Sequence, residues 1–140
     1  MSSSIRTNLL ESYQSANYHV HAASPFVLKI GQQSSKLQQL FLKFKAYQAS
    51  FITAYNPASL ELSVDENKKR NQSLEEKIRL LGLKYLCGVG KCDDNEWSGE
   101  ESFLIFGIDQ KEAIELGIKF GQNAILWIPK NTIPELLLLK

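Results

Sequence analysis

A chain of 140 residues, 44% hydrophobic and 22% charged, has the size and composition of one globular domain, long enough to bury a core without metal or disulfide. A formal net charge of +1 leaves no dense basic surface for nucleic acid, and Lys68-Lys69-Arg70 reads as a solvated helix start. No apolar run is long enough to span a bilayer and no signal-peptide core opens the chain, so a cytoplasmic location is expected.

In chain order, residues 3–15 read as a helix, with Leu9, Leu10 and Tyr13 at helical spacing. Two strands follow, 18–22 and 26–30, as a hairpin around Ala23-Ser24-Pro25. Leu37, Leu40, Phe41 and Phe44 make one apolar face of a helix over 35–45. Residues 51–55 are a β-branched and aromatic strand stopped by Asn56-Pro57. Ser63 and Glu66 form a capping box that opens a helix over 64–81, with Gly82 as its stop. A strand over 85–89, a polar loop over 92–99 and a strand over 103–107 come next. Asp109 and Glu112 cap a second helix that runs to Phe120 and closes at Gly121. The last strand covers 124–128, and an apolar tail from Thr132 should pack on the domain or on a partner.

This gives a mixed α/β (α+β) chain. Residues 1–48 hold a helix, a hairpin and a covering helix; 49–129 form a β-α-β-β-α-β, ferredoxin-like core; 130–140 are the tail. Two cysteines, Cys87 and Cys92, match no common zinc spacing and are expected as free thiols. His19 and His21 share a strand face but lack a third ligand, so neither a metal nor a cofactor is expected.

Chain direction gathers the polar motifs. If successive elements reverse, the 51–55 strand ends, the 64–81 helix begins, the 103–107 strand begins and the second helix ends all at one edge of the sheet. Asn56, Asn67, Arg70, Asn71, Glu101, Ser102, Gln122 and Asn123 then share a rim. Helical phase agrees. The inward stripe Leu74, Ile78, Leu81 extends backwards onto Arg70, Asn71 and Asn67, so the buried face turns polar in its first two turns. Such groups must be hydrogen-bonded or line a wet cleft.

Two uses of that rim follow. As a ligand site, Arg70 and the helix start hold a small anion or a nucleotide-like molecule. Asn56, Asn67, Asn71, Ser102, Gln122 and Asn123 then read its polar groups, and Glu101, ahead of Glu66, is the candidate general base. As a brace, Arg70 pairs with Glu101 and the amides tie loop backbones together. No phosphate loop or nucleophilic elbow is present, and catalysis is left open. Asp93, Asp94, Glu96, Glu100 and Glu101 fit no calcium loop and read as a solvated acidic turn. The other class of function is a protein-interaction module or a dimerising regulatory domain, a homodimer forming through the C-terminal tail.

Several motifs together resemble a bacterial family, the domain of unknown function numbered 3293. They are Tyr18-His19-Val20, Ile30-Gly31, the run from Phe51 to Pro57, Glu66-Asn67 with Arg70-Asn71, Trp97, Glu101-Ser102-Phe103-Leu104, and the run from Phe120 to Ile125. The resemblance covers most of the chain but not the apolar tail. It implies no activity, so no catalytic role transfers from it.

Overall fold

The computed structural model describes residues 7–91 and 99–140. Helix α1 (Thr7–Ser15) leads into strands β1 (Asn17–Val20) and β2 (Phe26–Leu28), then helix α2 (Ser35–Phe44). Strand β3 (Ala49–Thr53) is followed by a single 3-10 turn at Pro57–Ser59 and helix α3 (Val64–Leu80). Strands β4 (Tyr85–Lys91) and β5 (Glu100–Phe106), helix α4 (Gln110–Lys119), and strands β6 (Ala124–Ile128) and β7 (Glu135–Leu138) complete the order. The seven strands form one sheet in the order β2-β1-β4-β5-β3-β6-β7, every neighbour antiparallel.

Side-chain alternation splits the core in two. On one face Ile52, Phe103, Ile105 and Ile125 pack against Leu74 and Ile78 of α3 and Ala113 and Leu116 of α4. On the other, Phe51, Leu104, Phe106, Leu126 and Ile128 pack with Tyr18, Val20 and Leu28 under Leu37 and Phe41 of α2. Each fully buried aliphatic or aromatic side chain contributes about 1.5–3 kcal/mol, so a sheet buried on both faces needs no cross-link.

The caps sit where the sequence places them. Ser63 accepts from the Glu66 amide at 3.1 Å and Asp109 from the Glu112 amide at 2.8 Å. The expected antiparallel pairing of the strands on either side of the 92–99 loop is present as β4 with β5. The hairpin and α2, expected to extend the sheet or cover a face, do both.

Three details differ from the sequence reading. β5 begins at Glu100, not at Phe103, because Glu100 and Glu101 pair with Gly90 and Val89. The apolar tail is a strand, β7, with Leu136 and Leu137 opposite Leu126 and Ile125. Leu81, expected on the inward stripe of α3, is 41% exposed because it stands at the helix cap, past the last inward turn. Cys87 is a free thiol, and burial pushes its pKa up. Cys92, Asp93, Asp94, Glu96 and Trp97 lie outside the described residues.

Candidate functional site

A cavity of about 530 Å³ opens on the α1 and α2 face, at the end of the sheet where β3 stops and β5 starts. Its floor follows from pairing register. Phe51 and Thr53 of β3 lie opposite Leu104 and Ser102 of β5, and Ser102 and Glu100 lie opposite Gly88 and Gly90 of β4. Residues two apart on a strand share a face, so Thr53, Ser102 and Glu100 all line the cavity.

The two glycines make room there. A Cβ at Gly88 would meet the His19 carbonyl oxygen and lie 2.9 Å from Phe51 Cε2; at Gly90 it would lie 3.3 Å from Tyr18 Cδ1. Their absence lets the rings of Tyr18 and Phe51 lie edge to face, centroids 5.4 Å apart, as an aromatic wall. Tyr18 donates its hydroxyl to the Tyr13 carbonyl at 2.6 Å, which holds the ring to α1. Leu9, Leu126 and Leu136 complete an apolar end.

The other end is polar and built on the 54–62 loop. Asn56 occupies the left-handed region at φ 45, ψ 64, which asparagine tolerates better than most residues. Its Oδ1 accepts from the Leu62 amide at 3.0 Å and from Asn67 Nδ2 at 2.8 Å. Its backbone N–H donates to Asn67 Oδ1 at 2.9 Å. With those bonds made, the Nδ2 of Asn56 points at Glu100 and donates to Oε2 at 3.0 Å. Burial pushes the Glu100 carboxyl from an ordinary 4.5 up to about 7, and the Asn56 hydrogen bond opposes that rise. Burial also raises the Tyr55 phenol, with the charges of Glu101 and then Glu100 adding to it.

The residues expected on the rim divide into two groups. Asn56, Asn67, Ser102, Gln122 and Asn123 line the cavity. Arg70, Asn71 and Glu101 do not; they brace its walls. Arg70 donates from Nε to the Ala54 carbonyl at 2.8 Å and from Nη2 to the Phe120 carbonyl, with its guanidinium 5.9 Å from the Phe120 ring centroid. Asn71, 5% exposed, accepts from the Ala54 amide at 2.9 Å and donates to the Glu101 carbonyl at 2.8 Å. The expected pairing of Arg70 with Glu101 is replaced by these backbone contacts; among the described residues the ion pair is Arg79 with Glu75, at 3.4 Å.

Even the lining amides share the bracing. Gln122 donates to the Tyr55 carbonyl at 3.0 Å and Asn123 to Ser59 Oγ at 2.9 Å, so the exit of α4 is tied to the same loop. Glu101 follows Glu100 on the strand and is exposed; its carbonyl accepts from Thr53 Oγ1 at 2.6 Å. Two carboxylates therefore line the cavity, the exposed Glu61 and the half-buried Glu100, which the sequence reading placed in a solvated acidic turn. Counting back by two from Ser102 along an extended strand would have found it. Tyr18 and Phe51 were also missed as lining residues; the spacing Gly88-Val89-Gly90, two bare positions on one strand face, was their signal.

Among the described residues no group of three or more His, Cys, Asp or Glu is placed to hold a metal ion. Nor is any helix among them long and apolar enough to cross a membrane.

Fold and site together define a mixed α/β protein: an antiparallel seven-stranded sheet with helices on both faces and an amphipathic cavity at one end. The family described as Protein of unknown function (DUF3293) matches residues 52–125, which carry β4, β5, α3, α4 and the braced loop. The chain belongs to that family. No curated protein and no solved structure matches it.

Proposed function

We propose that this protein binds a small amphipathic molecule in the cavity beside β3 and β5. The observation that carries the reading is the division of one cavity into an aromatic end, Tyr18 and Phe51, and a polar end, Glu100, Asn56 and Ser102. Cavities of this size commonly take drug-sized ligands, with a few fixed polar groups setting orientation. A nucleobase or nucleoside has matching halves: a planar ring for the aromatic wall and polar edges for the amides and carboxylate.

The anionic part of a nucleotide-like ligand finds less support. Among the described lining residues there is no lysine, arginine or histidine, and Arg70 is engaged with backbone carbonyls. The reading therefore narrows from nucleotide-like to base-like or nucleoside-like. The ferredoxin-like reading of β3, α3, β4, β5, α4 and β6 belongs with it, since that unit brings the ends of both helices to the cavity. Binding, not turnover, is the activity proposed.

The test is thermal stabilisation by a panel of nucleobases, nucleosides and aromatic amines, on the wild-type protein and on Ala124→Phe. Ala124 is a half-buried lining residue at the start of β6, where a larger ring takes up space in the cavity. Stabilisation of the wild type that is lost in the variant supports the reading. A panel without effect on the wild type overturns it.

A second reading, an interaction module, rests on β7. It is an edge strand with Leu138 43% exposed, able to pair with the same strand of a second copy. Sedimentation of the wild type against Leu138→Lys tests it; a monomer at every concentration overturns it.

A further inference from the structure

We propose that the ligand presents an N–H-rich, positively polarised group, such as an amidine, a guanidine or an amino-heterocycle edge, to Glu100, while its planar ring rests on Phe51 and Tyr18. This deepens the cavity reading and depends on it. Asn56 Nδ2 engages Glu100 Oε2, and among the described residues no buried side-chain oxygen is left without a partner. Among the described residues no donor reaches the other oxygen, which therefore opens on the cavity that Glu100 lines. An ionised carboxylate only accepts hydrogen bonds, so the group that meets it must donate.

The surroundings give the charge sense. Among the described residues, the titratable groups around Glu100 are Tyr55 and Glu61 from the loop after β3, Tyr13 of α1, Tyr18 of β1 and, next in sequence, Glu101. Lys91 follows Gly90 on β4 and by alternation faces away from the cavity. Nothing among these neutralises a carboxylate. An arriving cation would do so, a neutral donor pair would hydrogen-bond it, and the aromatic wall adds a cation-attracting face.

The position is also prepared. Asn56 cannot swing its amide away without losing its bonds to Leu62 and Asn67, so the carboxylate is held before the ligand arrives. Burial raises the carboxyl towards neutrality, so proton loss and ligand binding are linked.

Benzamidine and benzoate are the probes: the same ring with opposite charge, measured by calorimetry at pH 6 and pH 8. Benzamidine should bind and benzoate should not. Benzamidine affinity should rise about tenfold from pH 6 to pH 8, with about one proton released per ligand bound at pH 6, because the carboxyl must ionise. Glu100→Gln should lose both the affinity and the pH dependence; proton release, read on the unaltered protein, does not depend on how that variant folds. Absence of benzamidine binding, equal binding of benzoate, or affinity flat with pH overturns the assignment. The two readings fail separately. If panel bases bind and are displaced by benzoate but not by benzamidine, the cavity stands and the charge sense falls. If Ala124→Phe leaves benzamidine binding intact, the cavity reading itself falls.

Discussion

Asn56 Nδ2 lies 3.0 Å from Glu100 Oε2, a hydrogen bond between the loop that leaves β3 and the first residue of β5. It joins two features of different origin. Asn56 is where the backbone turns left-handed to leave the sheet, and Glu100 is where a charged residue opens a strand at a half-buried position. The same amide therefore shapes the loop and orients the carboxylate, so loop geometry and cavity chemistry should respond together to one substitution.

Asn56→Ala is expected to lower stability by about 2–4 kcal/mol: strain at a positive φ accounts for about 1–2 and the orphaned Leu62 and Asn67 groups for the rest. Asn56→Gly relieves the strain but not the lost bonds and should fall between. In both variants the Glu100 carboxyl should titrate higher than in the wild type, because the hydrogen bond that lowers it is gone. Urea unfolding gives the first quantity, and a carboxyl-detected NMR titration gives the second.

Glu100→Gln should change how stability depends on pH. The folded carboxyl titrates near 7 against an ordinary 4.5, so the native state holds its proton more tightly than the unfolded chain. Stability from this group is then full below about pH 4.5, declines as pH rises, and levels off above about pH 7. The variant keeps an acceptor for Asn56 but has no proton to lose. Relative to the wild type it should gain on the order of 3 kcal/mol between pH 4.5 and pH 8, read from unfolding midpoints across that range. Parallel curves for the two proteins would contradict the assignment.

How much of this was legible in the sequence depends on the kind of signal. Caps are local, and Ser63 with Glu66 and Asp109 with Glu112 fixed both helix starts of the core. Helical phase was also readable: α3 buries Asn67 and Asn71 in line with Leu74 and Ile78, as spacing requires. Chain direction brought the ends of β3, α3, β5 and α4 together. Partner choice was not readable. The guanidinium of Arg70 was expected to meet the Glu101 carboxylate, yet it serves Ala54 and Phe120 carbonyls, because loop carbonyls that no strand or helix satisfies need donors just as much. The start of β5 lies three residues before the one its hydrophobic pattern suggests. Two adjacent glutamates look like a loop, and only pairing with β4 shows that they point to opposite faces. The part played by α1 and β1 in the cavity depends on packing between segments distant in sequence, which no local pattern encodes.

Arg70→Ala should destabilise the protein by about 1–3 kcal/mol, since it strips donors from two carbonyls that hold the 54–62 loop to the exit of α4. Arg70→Lys should recover less than half of the loss. A single ammonium on a flexible stem cannot span Ala54 and Phe120 as a rigid fork does. Hydrogen exchange should localise the effect: amides at Ala54, Asn56 and Ala58 should exchange faster, and those of β1 should not. Full rescue by lysine would mean that charge, not fork geometry, is what the site requires.

Gly88 and Gly90 offer the sharpest contrast, because they share a strand face yet differ in what stands above them. An alanine at Gly88 drives its Cβ into the His19 carbonyl oxygen on the neighbouring strand and to within 2.9 Å of Phe51 Cε2. Backbone cannot retreat there without breaking the β1–β4 ladder, which pairs Val20 with Gly88. The expected loss is about 2–3 kcal/mol or more, in the range of an overpacked core. An alanine at Gly90 meets the Tyr18 ring edge at 3.3 and 3.4 Å, contacts that a slight ring movement relieves. Its effect on stability should stay within about 1 kcal/mol. Gly90→Ala should nevertheless weaken binding of any ring-bearing ligand, because Gly90 and Tyr18 both line the cavity and the added methyl takes up space there. Melting temperatures of the two variants, taken with ligand titrations of Gly90→Ala, separate these effects. Equal losses of stability at both positions would mean that the floor of the cavity is looser than its register implies.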